Sequence, residues 1–227
     1  MKLKVFSIVP ISLIDSRHDA CMVIFLSGCN MRCIYCQNYP AYLNGRVICG
    51  KEFRKLVEEN WAIGVVKFSG GEPTLQGENL IEAFKIIRDV GRKPAIDTNG
   101  TKPDVIEKLC RAGLFEAAVD FKAPPSKYEQ VTRVKVDVDK IVKTIRILND
   151  YNIDYEVRTT VALPLISLYD LKEIARILNK LDVKLWVLQR FRRTKYITAE
   201  IKEPTLNLLR RWAGILEKEY SIKVKVR

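Results

Sequence analysis

Three thiols stand close together in the stretch Gly28-Cys29-Asn30-Met31-Arg32-Cys33-Ile34-Tyr35-Cys36. A C-x3-C-x2-C run of this kind can hold three irons of a [4Fe–4S] cube and leave the fourth without a protein ligand. An iron open in that way takes a small molecule, so the spacing speaks for chemistry as well as for electron storage. A structural zinc knuckle is the competing reading of the C-x2-C pair. Closed zinc sites want a fourth soft ligand, however, and His18 is the only histidine in the chain. Cys21, Cys49 and Cys110 are isolated and form no further C-x2-C pair. The cube is the first reading and zinc the second.

Other unusual residues fall at regular places. Ser69-Gly70-Gly71-Glu72-Pro73, Asp97-Thr98-Asn99-Gly100, Asp120-Phe121-Lys122 and Gln189-Arg190 each close an apolar run of strand length. Gly70 and Gly71 remove side chains where a backbone approaches a ligand, leaving N–H and C=O groups available. Glu72 can accept hydrogen bonds from an ammonium group. Taken singly, GGEP is a turn, Asp97 and Asp120 are caps or solvated loop residues, and Lys122 faces water. Their joint placement carries more weight than any one of them.

The elements that must position these residues alternate. Met22 to Leu26, Val65 to Phe68, Pro94 to Asp97, Phe115 to Phe121, Tyr155 to Ala162 and Leu185 to Leu188 read as strands. Between them apolar residues recur at helical spacing, as in Leu80, Ile81, Phe84 and Ile87, or Ile141, Val142, Ile145 and Leu148. Ile222, Val224 and Val226 alternate with basic residues and predict a terminal edge strand. About six βα units follow, with a parallel sheet and right-handed crossovers. A partial barrel and a doubly wound sheet both satisfy this α/β pattern. In either, ligands bind where the C-terminal strand ends open into loops.

The chain of 227 residues, 48% hydrophobic, fits one domain spanning 1–227, with a cysteine loop at 29–36 and a C-terminal helix and edge strand over 203–227. No run approaches the ~18 consecutive apolar residues of a membrane span. Ser7, Pro10 and Asp15 argue against a signal peptide. Six cysteines, three of them in a metal-type loop, indicate a reducing compartment, and the expected location is the cytosol. The formal charge of +12 favours an anionic partner or marks a solvated lysine-rich surface.

The cysteine loop, with an aromatic before its last cysteine and GGEP one βα unit later, resembles the radical S-adenosylmethionine superfamily. More narrowly the chain is similar to activases of glycyl radical enzymes, the anaerobic ribonucleotide reductase activating protein group especially. Ser12-Leu13-Ile14-Asp15, Phe25-Leu26-Ser27-Gly28-Cys29-Asn30, Phe68-Ser69-Gly70-Gly71-Glu72-Pro73-Thr74-Leu75, Asp97-Thr98-Asn99-Gly100 and Asp120-Phe121-Lys122-Ala123-Pro124 carry the narrower likeness. The resemblance implies a partial (β/α)6 TIM-like barrel and one [4Fe–4S] cluster on Cys29, Cys33 and Cys36. S-adenosylmethionine would chelate the open iron and be cleaved reductively to methionine and a 5′-deoxyadenosyl radical. Tyr35 would lie near the adenine, and Gly70, Gly71 and Glu72 at the methionine amino group. Asp97, Thr98 and Asp120 match positions around a cation beside the cofactor carboxylate, with Lys122 close by. Arg158 matches a strand-five position loosely. Implied partners are a glycyl radical enzyme and a flavodoxin- or ferredoxin-type electron donor.

Two positions depart from the family pattern: Asp15-Ser16-Arg17-His18 replaces Asp-x-Pro-Gly, and Gln37 stands where a histidine often follows the third cysteine. A small-molecule radical enzyme of the 7-carboxy-7-deazaguanine synthase type is the alternative. Arg190, Arg192, Arg193 and Lys195 would suit its carboxylated substrate or an acidic protein surface equally. A zinc-bound nucleic-acid module is a remote third, since only Phe191 and Tyr196 interleave with that basic segment.

Overall fold

The computed structural model describes residues 1–39 and 41–227. Its strands are β1 (Lys2–Ser12), β2 (Cys21–Leu26), β3 (Arg46–Cys49), β4 (Val65–Gly70), β5 (Lys93–Thr98), β6 (Glu116–Asp120), β7 (Asp154–Val161), β8 (Leu185–Arg190) and β9 (Lys223–Val226). The helices are α1 (Gly50–Glu59), α2 (Gly77–Asp89), α3 (Pro103–Arg111), α4 (Tyr128–Thr132), α5 (Val138–Asp150), α6 (Leu168–Lys180) and α7 (Leu206–Glu219). One sheet runs in the order β3-β1-β2-β4-β5-β6-β7-β8-β9. From β2 to β9 every pairing is parallel, while β1 lies antiparallel to both β2 and β3. The two ends, β3 and β9, do not pair with each other, so the barrel is partial.

Five of the six expected strands, β4 to β8, lead into helices, β2 reaches α1 only through the cysteine loop and β3, and β9 is the expected edge strand. The sequence reading did not anticipate β1 and β3. In β1, Leu3 and Val5 alternate with exposed Lys2 and Lys4, a strand signal that the exposed Val9 and Ile11 further along obscure.

The main core lies between the outer face of the sheet and the helices. On α2 the buried residues Leu80, Ala83, Phe84 and Ile87 form one stripe, against which Phe68 stacks with ring centroids 5.9 Å apart. Phe53 of α1 continues the stack at 6.0 Å. Helix α6 starts on a capping box in which Ser167 and Asp170 satisfy each other's backbone N–H groups.

The inner face is different. Its apolar cluster is small, with Cys21, Val23, Val65 and Ala95 at its centre. Above it the inward positions carry charge. Lys67 and Glu116, both buried, pair at 2.9 Å, and Lys67 also donates to the carbonyl of Asp15. Buried Glu156 accepts from Arg158 at 2.6 Å and from Arg227 at 2.7 and 3.0 Å. A buried charge is tolerated only when paired in this way. The segment before β2 closes the lower end, with Ser16 donating to Glu116 at 2.7 Å and Arg17 lying 3.0 Å from Asp154.

Candidate active site

A cavity of about 600 Å³ opens at the C-terminal strand ends. Its lining includes Cys33, Tyr35, Cys36, Gly70, Gly71, Glu72, Asp97, Thr98, Asp120 and Lys122. Of the cluster and cofactor residues expected from the sequence, Cys29 alone is not in that lining; it is half-buried at the start of the cysteine loop, where its sulfur accepts from Met31 N–H at 3.4 Å. Tyr42 lies beside the three thiols: burial first, then Cys29, Cys36 and Cys33, push its phenol up to about 12. Burial likewise raises Cys29 to about 12 and lifts Cys33. Such thiols stay protonated unless a positive centre holds them as thiolates. Among the described residues no three Cys, His, Asp or Glu side chains converge on one ion.

The cysteine loop is fixed on both sides. Arg32 N–H donates to Thr132 O at 2.9 Å and Ile34 N–H to Val131 O at 3.0 Å, stitching the loop to the end of α4. On the other side, Gly71 N–H donates to Leu26 O at 2.9 Å and Glu72 N–H to Gly28 O at 2.7 Å. A Cβ on Gly71 would sit 1.8 Å from Gly28 O, and one on Gly70, at φ +114°, would sit 2.5 Å from Leu26 N. The two glycines therefore let the GGEP turn and the cysteine loop touch backbone to backbone. The Gly71 N–H, open for a ligand in the sequence reading, is spent on this seam.

Glu72 is also committed. Its Oε1 accepts from Thr74 N–H at 3.0 Å, Thr74 Oγ1 at 2.5 Å and Thr98 Oγ1 at 2.8 Å, and its Oε2 from Asn99 N–H at 2.7 Å. Burial pushes this carboxyl upward against those four bonds, each of which favours the ionised form. Asn99 Nδ2 donates to Asn30 Oδ1 at 2.8 Å, and Asn30 Nδ2 to Thr101 Oγ1 at 2.8 Å. Glu72 thus ties the end of β5 to the cysteine loop through Asn99 and Asn30, residues that stand in the quoted motifs but have no role in the sequence reading.

Asp97 and Asp120 lie on the same inner face one step apart, because Asp97 registers with Ala118 and Asp120 with Arg158. Arg158 Nη1 comes 3.2 Å from Asp97 Oδ1, and Lys67 lies 3.6 Å from the same oxygen. These are charge contacts not aligned as hydrogen bonds, so Asp97 Oδ1 keeps hydrogen-bonding capacity. Burial would raise Asp97, but Arg158 and Lys67 outweigh it and hold the carboxyl below its ordinary value. Lys122 Nζ lies 2.8 Å from Asp120 Oδ2. Burial opposes the Lys122 charge, yet Asp120 and its other neighbours raise it well above the usual ammonium range. Each acid therefore already has a protein cation beside it: Arg158 and Lys67 at Asp97, Lys122 at Asp120. The Thr98 hydroxyl, expected to face a cation, donates to Glu72.

The basic segment opens on Arg190 at the end of β8. Arg190 donates to Pro204 O at 2.8 Å and pairs with Glu203 at 3.1 Å, while Arg193 holds the carbonyls of Ile197, Ala199 and Ile201. Arg190 and Arg192 both line the cavity.

The sequence model of the radical SAM superfamily matches residues 23–181, from β2 through α6. The chain belongs to the radical SAM superfamily. A relative from Methanocaldococcus jannaschii, named "Putative glycyl-radical enzyme activating enzyme", is 35% identical over all of this chain and 97% of its own length. The pyruvate formate-lyase-activating enzyme of Clostridium pasteurianum is 34% identical over 43% of both chains. In fold, a radical SAM methyltransferase from Sphaerobacter thermophilus superposes with a TM-score of 0.75 at 17% identity, over 96% of this chain and 68% of its own. Membership makes the chain an enzyme and implies an iron–sulfur cluster and S-adenosylmethionine, which sets aside the zinc-bound nucleic-acid module. The residues present suit both groups. Three neighbouring thiols supply soft donors, and Tyr35, whose buried hydroxyl has no partner, is among the residues that line the cavity. Among the described residues no helix is long and apolar enough to cross a membrane.

Proposed function

We propose that this radical SAM enzyme activates a glycyl radical enzyme, an anaerobic ribonucleotide reductase being the first candidate. The observation that carries the reading is the single cavity where two of the loop cysteines, the GGEP turn and the Asp120–Lys122 pair meet, on a chain aligned end to end with the archaeal relative. When bound, a [4Fe–4S] cluster supplies one electron that cleaves S-adenosylmethionine to methionine and a 5′-deoxyadenosyl radical, which takes a hydrogen atom from the partner's glycine. Cys29, Cys33 and Cys36 hold the cluster, and Tyr35 lies near the adenine. Gly70, Gly71 and Glu72 shape the methionine side, Glu72 by fixing Thr98 and Asn99. Lys122, oriented by Asp120, meets the cofactor carboxylate, and Arg158 with Asp97 sets the charge beneath it.

Deuterium placed on the partner's glycine Cα tests this reading, since it should appear in the 5′-deoxyadenosine formed. Turnover of a carboxylated pterin with no partner protein would establish the small-molecule alternative instead. Lys122→Ala and Asp120→Asn should each weaken S-adenosylmethionine binding about ten- to a hundredfold, the loss of a bond to a charged group of roughly 1.5–3 kcal/mol. The cluster spectrum should not change. Wild-type affinity in both variants would remove these residues from the site.

A further inference from the structure

Asp97, Thr98 and Asp120 are the residues that the family likeness would give to a small inorganic cation beside the cofactor carboxylate. Such an ion needs several oxygens with open lone pairs and no positive charge against them. The oxygens here are engaged otherwise. Thr98 Oγ1 donates to Glu72 Oε1 at 2.8 Å and accepts from Gly100 N–H at 3.1 Å. Asp120 Oδ2 accepts from Lys122 Nζ at 2.8 Å. Asp97 Oδ1 faces Arg158 Nη1 at 3.2 Å and Lys67 Nζ at 3.6 Å, so an ion on that oxygen would lie against two protein cations. The three residues do not fit an inorganic ion.

Lys67 is the least expected of these cations. It stands in the middle of β4, in Val65-Val66-Lys67-Phe68, and is fully buried. Its ammonium donates to Glu116 Oε1 at 2.9 Å and to the carbonyl of Asp15. Asp15 opens the segment Asp15-Ser16-Arg17-His18, which departs from the family's Asp-x-Pro-Gly. That segment brings more than a carbonyl. Ser16 donates to the other oxygen of Glu116 at 2.7 Å, and Arg17 Nε lies 3.8 Å from Glu116 Oε1 and 3.9 Å from Glu156 Oε2. Glu156 is held by Arg227 as well. With Arg17 and Arg227 serving the two glutamates, Lys67 and Arg158 have charge left for Asp97.

We infer that Lys67 stands in for the inorganic cation as a positioning residue: acting with Arg158 through Asp97, it lets the site take the S-adenosylmethionine carboxylate with no alkali or alkaline-earth ion bound. The inference rests on the proposed seat of that carboxylate at Lys122. Asp97, Asp120 and the incoming carboxylate are three like charges in one cavity, and unanswered they would repel. Lys67 and Arg158 answer Asp97, while Lys122 answers Asp120 and the cofactor. The ammonium belongs to the fold, so its charge is in place before the cofactor arrives and needs no separate binding step.

The test is calorimetric titration of cluster-loaded protein with S-adenosylmethionine under anaerobic conditions. The only cation of the buffer is tetramethylammonium, replaced in turn by sodium, potassium or magnesium at equal ionic strength. Wild-type affinity should stay within about twofold across the series. Lys67→Met alone would leave Glu116 buried without its partner, so the pair is removed together as Lys67→Met with Glu116→Gln. This double variant should keep its iron content, and in tetramethylammonium it should lose about tenfold in affinity. Sodium or potassium should restore that loss, because removing Lys67 opens Asp97 to a small ion; a merely structural lysine gives no such rescue. A wild type whose affinity falls about tenfold or more without inorganic cations would overturn the inference, whether or not the variant folds. So would a double variant that binds as tightly as the wild type in tetramethylammonium, or one whose loss no cation restores. A wild type that binds no S-adenosylmethionine with any cation, or a Lys122→Ala variant with undiminished affinity, would instead refute the reading beneath, and the inference with it.

Discussion

Alanine at Cys29, Cys33 or Cys36 is expected to abolish S-adenosylmethionine cleavage completely and to strip the protein of stoichiometric iron and sulfide. A cube held by three thiolates loses a whole corner with each substitution. The other thiols stand elsewhere: Cys21 is buried on the inner face, Cys110 is buried on α3, and Cys49 is exposed on β3. Burial pushes Cys21 up to about 11 and Cys110 up to about 12, as expected of inert structural thiols. Alanine at these three should leave iron content at the wild-type level, with at most some loss of stability from the buried pair. Anaerobic iron and sulfide analysis with a 5′-deoxyadenosine assay checks both halves. Loss of cluster on changing Cys49 or Cys110 would mean that the metal site is misassigned.

Glu72→Ala should be the most damaging change outside the cysteines. It leaves the Thr74 and Thr98 hydroxyls and the Thr74 and Asn99 N–H groups without their acceptor in a buried place. Each unsatisfied buried group costs ~1–3 kcal/mol, and with partial relaxation the loss should come to about 3–5 kcal/mol. That is a large share of the ~5–15 kcal/mol by which domains are stable. Because Asn99 anchors Asn30, the cysteine loop should loosen too, so cluster loading falls along with the denaturation midpoint. Glu72→Gln tests the carboxylate specifically, since an amide Nε2 would face the Asn99 N–H that Oε2 now accepts. Denaturant titration of the apoprotein, alongside iron analysis after reconstitution, gives both readouts. Wild-type stability in Glu72→Ala would show that the buried network is dispensable.

Much of this architecture is written locally. Each βα unit repeats a buried apolar run and an amphipathic stripe, and the C-x3-C-x2-C and GGEP motifs sit at the strand ends where ligands bind. The inner face was not legible, because a charge inside a strand reads as solvent-exposed unless its partner is known. Lys67 in Val65-Val66-Lys67-Phe68 is fully buried because Glu116, distant in sequence, comes to meet it. Arg158 and Asp97 likewise meet only once β5, β6 and β7 are side by side. The glycines were visible as a motif, but their use in a backbone seam depends on Leu26 and Gly28 arriving from β2. In the same way, the Arg190–Lys195 run gave its composition and not which side chains hold carbonyls, which line the cavity and which, like Arg190, do both.

The most direct measurement is electron paramagnetic resonance of an anaerobic mixture of reconstituted protein, S-adenosylmethionine, reductant and a purified anaerobic ribonucleotide reductase free of its own activase. The account predicts a glycine-centred doublet that is absent when either Cys36→Ala protein or no S-adenosylmethionine is used. Formation of 5′-deoxyadenosine with no glycyl radical on that reductase, or on a pyruvate formate-lyase-type partner tried in its place, would contradict it.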